Sequence, residues 1–94
     1  MSAFGERFAT AHDVMCVRAM AFAAKWAAVR GDVRAHANAR FARRVADALS
    51  RLDPRAYATV TELRVAAREI LARTPASTDG FEARAELAAV IEAI

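Results

Sequence analysis

Apolar side chains at Phe8, Met15, Phe22 and Val29 recur every seven residues, and His12, Ala19 and Trp26 follow the first three of them by four. That pattern is a helical seam extending over roughly 25 residues, long enough to dictate how the rest of a short chain must pack. A second apolar row, Val14, Val17 and Met20, lies well round the same helix and leaves only Glu6, Arg7, Thr10, Asp13, Arg18 and Lys25 as a polar arc. This is more apolar coverage than a surface helix needs. It predicts either the central helix of a bundle or a contact between two copies of the chain.

Three further helices follow from start and stop signals. Gly31 suits the left-handed residue that ends a helix and Asp32 suits the cap of the next, which predicts a second helix over about 33–52 with Ala37, Phe41, Val45, Ala48, Leu49 and Leu52 facing inward. Asp53-Pro54 reads as a cap followed by a first-turn proline, starting a third helix over about 54–73 that buries Tyr57, Val60, Leu63, Ala67, Ile70 and Leu71. Residues 74–80 form the clear loop, and Asp79 with Glu82 reads as a capping box for a last helix over about 80–94 carrying Leu87, Val90, Ile91 and Ile94. No strand alternation or internal repeat is present. The expected fold is all-α, a compact four-helix bundle forming a single domain over residues 1–94, with helix 1 (about 3–30) at its centre.

Composition bears on how that bundle is filled. Of 94 residues 56% are hydrophobic, but 26 are alanine, which favours helix and close packing while adding little volume. The core is therefore thin for the length, and dimerisation through helix 1 would relieve it. Thirteen arginines stand against a single lysine, Lys25. High alanine and arginine together are what a genome rich in G and C produces, yet codon bias would scatter the arginines, and here they cluster.

Between Arg30 and Arg51 lie six arginines and two acids, Asp32 and Asp47, so this segment carries +4 and the remainder of the chain −1. On a helical projection His36, Arg40, Arg43, Arg44, Asp47 and Arg51 fall within an arc of about 100°, and Arg34 points elsewhere. Asp47 stands four residues from both Arg43 and Arg51 and is placed to neutralise them, whereas Arg40 and Arg44 repel at a spacing of four. His36, Arg40, Arg43, Arg44 and Arg51 are thus the expected partner-binding surface. The reading they support is a small non-enzymatic regulatory or inhibitory protein that binds a larger protein with an acidic surface; phage and mobile-element inhibitors of host machinery offer an analogy of size, not of motif. A nucleic-acid-binding accessory protein using the same face is the first alternative, and a structural homodimer the second. From Thr74 onward the chain is net −3, so the second and fourth helices could also attract each other, within one molecule or between two.

Other chemistries find little footing. A helix-turn-helix across Leu52-Asp53-Pro54 would have an overlong first helix and a reader helix exposing Glu62 and Glu69, and no aromatic is interleaved with the arginines. His12 and Cys16 have the spacing of two metal ligands, but His36 would have to come from the next helix and a fourth ligand is not evident, so no metal or cofactor is expected. No glycine-rich phosphate loop, Gly-flanked serine or paired-carboxylate motif is present, and Asp32, Asp53 and Asp79 are accounted for as caps, so no enzymatic activity is expected. Phe22, Trp26 and Val29 could enter a membrane interface with Arg18 and Lys25 snorkelling, but they read more simply as the spine of a bundle. The single cysteine and the lack of a secretory-type N-terminus point to the cytoplasm.

Overall fold

The computed structural model describes the backbone of residues 3–75 and 81–94, with side chains from Thr10 onward except that of Phe81. Among the described residues four α-helices, α1 (Ala3–Ala27), α2 (Val33–Ser50), α3 (Val60–Arg73) and α4 (Phe81–Glu92), and one 3₁₀ turn (Pro54–Ala56) make up an all-α bundle. Helix α1 packs most extensively on α2 and also touches α4, the 3₁₀ turn and α3, so the long seam organises the molecule. Of its seam residues, Met15 and Ala19 are fully buried and His12, Phe22 and Trp26 half-buried; the side chain of Phe8 lies outside the described residues. Val29 departs from the expectation. The helix stops at Ala27, short of the predicted 30, and Val29 sits in the turn, 47% exposed.

That turn is built as the sequence predicts. Gly31 has φ +74°, a left-handed conformation with open space around it, so glycine is there for its backbone freedom and not for room. Asp32 then accepts a 2.9 Å hydrogen bond from the Arg34 N–H, capping α2. The interior of the bundle joins Met15, Phe41, Val45, Leu49, Leu63, Leu71, Leu87 and Ile91 into one cluster, with Ala19, Ala23, Ala42 and Ala46 also buried. Small residues on both α1 and α2 allow close approach of the two helices, which is how an alanine-rich chain makes a core from little volume.

Two expectations about these elements are corrected. The buried arc of α2 is Ala35, Asn38, Phe41, Ala42, Val45, Ala46 and Leu49, while Ala37 and Ala48 are only half-buried: the helix is wedged between α1 and α4 and is turned further than its larger residues alone suggest. The Asp53-Pro54 signal starts only the 3₁₀ turn, capped by Asp53, after which Tyr57 and Thr59 are extended. Helix α3 begins six residues later, where Thr59 Oγ1 accepts from the Glu62 N–H at 3.1 Å and the Glu62 carboxylate accepts from the Ala58 N–H at 2.8 Å. The predicted box at Asp79 and Glu82 has its first member outside the described residues.

Candidate functional site

The outward arc of α2 is as the sequence lays it out. His36, Arg40, Arg43, Arg44 and Arg51 are all exposed, and among the described residues none of them makes an ion pair within 4 Å. Asp47 does not take up the neutralising role expected of it. It pairs with neither Arg43 nor Arg51 among the described residues, and its backbone carbonyl accepts from Ser50 Oγ. Four arginines on one exposed arc therefore keep their full donor capacity toward solvent, each guanidinium offering a planar fork to a carboxylate or phosphate.

The structure divides this arc. His36, Arg40 and Arg43 line a groove of about 610 Å³ between α2 and the C-terminal part of α1, and Arg44 and Arg51 lie outside it. Arg30, which the sequence places beyond the arc, stands in the turn after α1 and lines the same groove. The opposite wall is apolar, with Met20, Ala24, Ala27 and Val29. The sequence signal for this wall is the second apolar row of α1, of which Val14, Val17 and Met20 are 39%, 67% and 47% exposed. That row lies on the bundle's surface, uncovered by the described residues. Joining it to the arginines required knowing that the Gly31 turn folds the end of α1 back beside the first half of α2.

The other arc-edge residues are engaged internally. Arg34 forms an ion pair with Glu82 of α4, and Asn38, fully buried, donates from Nδ2 to Glu82 Oε2 at 3.1 Å and accepts the Ala83 N–H on Oδ1 at 2.9 Å. Asn38 thus supplies, from α2, the acceptor that an N-terminal N–H of α4 needs. Its hydrogen bond, with the Glu82 backbone N–H and Arg34 adding to it, holds the Glu82 carboxyl below the usual carboxylate range. Lys25 and Trp26 of α1 both bond Glu86, Trp26 Nε1 at 2.7 Å, and Arg68 grips Glu92 with two 2.6 Å hydrogen bonds that hold that carboxyl low as well. Of the attraction expected between the second and fourth helices the structure shows one ion pair, Arg34 with Glu82, while Glu86 is taken by α1 and Glu92 by α3.

His12 and Cys16 meet in the structure, with Sγ 3.5 Å from Nε2, but Nε2 also lies 2.7 Å from the Leu49 carbonyl oxygen and must carry the proton that bond requires. No lone pair on that nitrogen is free to take the thiol proton, and burial, with Asp13 adding repulsion, pushes the Cys16 thiol up. The His12 bond to Leu49 ties α1 to the end of α2. Among the described residues no group of three or more His, Cys, Asp or Glu side chains is placed to hold a metal ion, and no helix is long and apolar enough to cross a membrane. Helices α2 and α3 are separated by residues 51–59, too long for the tight turn of a helix-turn-helix, and Glu62 and Glu69 are exposed on α3. No protein-family model, curated protein or solved structure matches this chain.

Proposed function

We propose that this chain is a non-enzymatic regulatory or inhibitory protein that works by binding an acidic surface of a larger protein through His36, Arg40, Arg43, Arg44 and Arg51. One observation carries the reading. Acids of α4 pair arginines of α2 and α3, yet among the described residues none of the arginines on the outer arc of α2 has an ion pair. Like charges kept at a spacing of four cost a few tenths of a kcal/mol in an isolated helix, and an external anion removes that cost. Charge-reversed Arg40→Glu with Arg44→Glu is the test: partner capture from the native host's lysate, followed by mass spectrometry and run with and without nuclease, should be lost. Unchanged capture sinks the assignment, and capture that nuclease abolishes transfers the surface to nucleic acid.

A further inference from the structure

The groove beside α2 carries more than charge. Its α1 wall is a strip of exposed small and aliphatic side chains, Met20, Ala24 and Ala27, that continues past the groove to Val17, 67% exposed, one turn before Met20. From Val17 to Ala27 the strip runs about 15 Å. Its other lip is Arg30, Arg40 and Arg43 with His36, and the one acid present, Asp32, is occupied in capping α2. A purely electrostatic surface has no use for the strip, and a small anion would leave most of it wet. Ala24 and Ala27, three residues apart, let a second helix pack closely at that end of the strip, and flanking arginines then reach carboxylates on that helix's side.

We infer that this groove seats an amphipathic helix of the partner protein, its apolar row against Val17, Met20, Ala24 and Ala27 and its carboxylates against Arg30, Arg40 and Arg43. This rests on the protein-binding reading above and specifies the secondary structure and chemistry of what is bound. The occupant is the helix-in-groove type, read by anchors at i, i+3, i+4 and i+7. Trp26, the only tryptophan of the chain, also lines the groove and reports on it.

The test uses the full chain and a fluorescein-labelled, hydrocarbon-stapled peptide of about four turns, with leucines on one face and glutamates along one flank. Binding by fluorescence anisotropy should be accompanied by a shift in Trp26 emission. It should weaken at least about tenfold, or about 1.4 kcal/mol, in each of Met20→Glu, Ala24→Arg and the double variant Arg40→Glu with Arg43→Glu. A peptide with lysines in place of glutamates should not bind. All these substitutions are at partly or fully exposed positions, and retained helicity by circular dichroism identifies the variants that can be scored.

No binding by the wild-type chain overturns the inference. So does binding that Met20→Glu and Ala24→Arg leave intact, which would show a surface for anions alone; duplex DNA bound equally by these variants would identify the anion as phosphate. Self-association of the peptide-free chain that Met20→Glu abolishes would also overturn it, giving the strip to a second copy. A partner captured through Arg40 and Arg44 but held undiminished by Met20→Glu would defeat the groove and leave the basic face standing.

Discussion

Arg34 and Arg40 stand six residues apart on α2 and meet opposite surroundings. Arg34 reaches Glu82 beside the buried Asn38, where α2 and α4 are tied; Arg40 projects with Arg43 and Arg44 into solvent. The same division runs through the chain. Arg55, Arg64, Arg68, Arg73 and Arg84 each bond a carboxylate or a carbonyl, Arg84 bridging the Leu71 and Thr74 carbonyls at 3.0 and 3.1 Å while stacking over Phe41. Arg18, Arg30, Arg40, Arg43, Arg44 and Arg51 make no such bond among the described residues. Codon usage can account for the residue type but not for this sorting. One set is engaged with the chain's own acceptors, and the other faces solvent.

The sharpest way to break the comparison is to cut the tied side. Asn38→Ala leaves the Ala83 N–H buried without an acceptor and removes one of the two side-chain donors of Glu82, Arg34 remaining as the other, which should cost about 2–3 kcal/mol and lower Tm by roughly 10–20 °C. Arg40→Ala should stay within about 0.5 kcal/mol, as a surface substitution does. Equal melting temperatures for the two variants would collapse the distinction. Arg84→Ala comes next: it strips two carbonyls at the C-terminal end of α3 of their donor and Phe41 of its cation, for an expected loss of about 1–2 kcal/mol in urea unfolding.

How much of this was legible in the sequence depended on whether the signal was local. Period and caps set α1, the Gly31 turn and the start of α2 with little tertiary help. The one start signal read for α3, Asp53-Pro54, produced only the 3₁₀ turn, and the helix itself is started by Thr59 with Glu62, whose reciprocal bonds satisfy two N–H groups. The orientation of α2 was misjudged because alanine stands on both of its sides and gives no direction, and because Asn38, a polar residue, occupies the centre of the true buried arc. The basic arc was readable from residue spacing alone. Its apolar counterpart was visible only as a surplus on α1, since the groove exists through the juxtaposition of α1 with α2, and Arg30 joins it through the path of the turn.

Acid should erode the tied side selectively. Glu82 and Glu92 titrate in the folded chain below their ordinary value of 4.5, Glu82 chiefly through Asn38 and Glu92 through Arg68. A carboxyl depressed by folding adds stability that is fully present above its unfolded pKa and disappears as pH falls through the lower folded one. Wild-type stability should therefore fall as pH drops below about 4.5, and less steeply in Glu82→Gln or Glu92→Gln than in the parent. Parallel pH profiles would mean those bonds contribute nothing.

The smallest expected effect tests the untied side. Arg40→Glu places a carboxylate four residues before Arg44 and three before Arg43, replacing two like-charge spacings by two attractive ones worth about 0.2–0.5 kcal/mol each on an exposed helix. The variant should melt slightly higher than the wild type at low salt, with the gain shrinking as ionic strength rises. Free chain and binding then pull in opposite directions: the substitution that relieves the helix is half of the double variant, Arg40→Glu with Arg44→Glu, expected to abolish partner capture. A variant that melted lower would show that Arg40 already contributes to the fold, and the arc would lose its claim to be held for a partner.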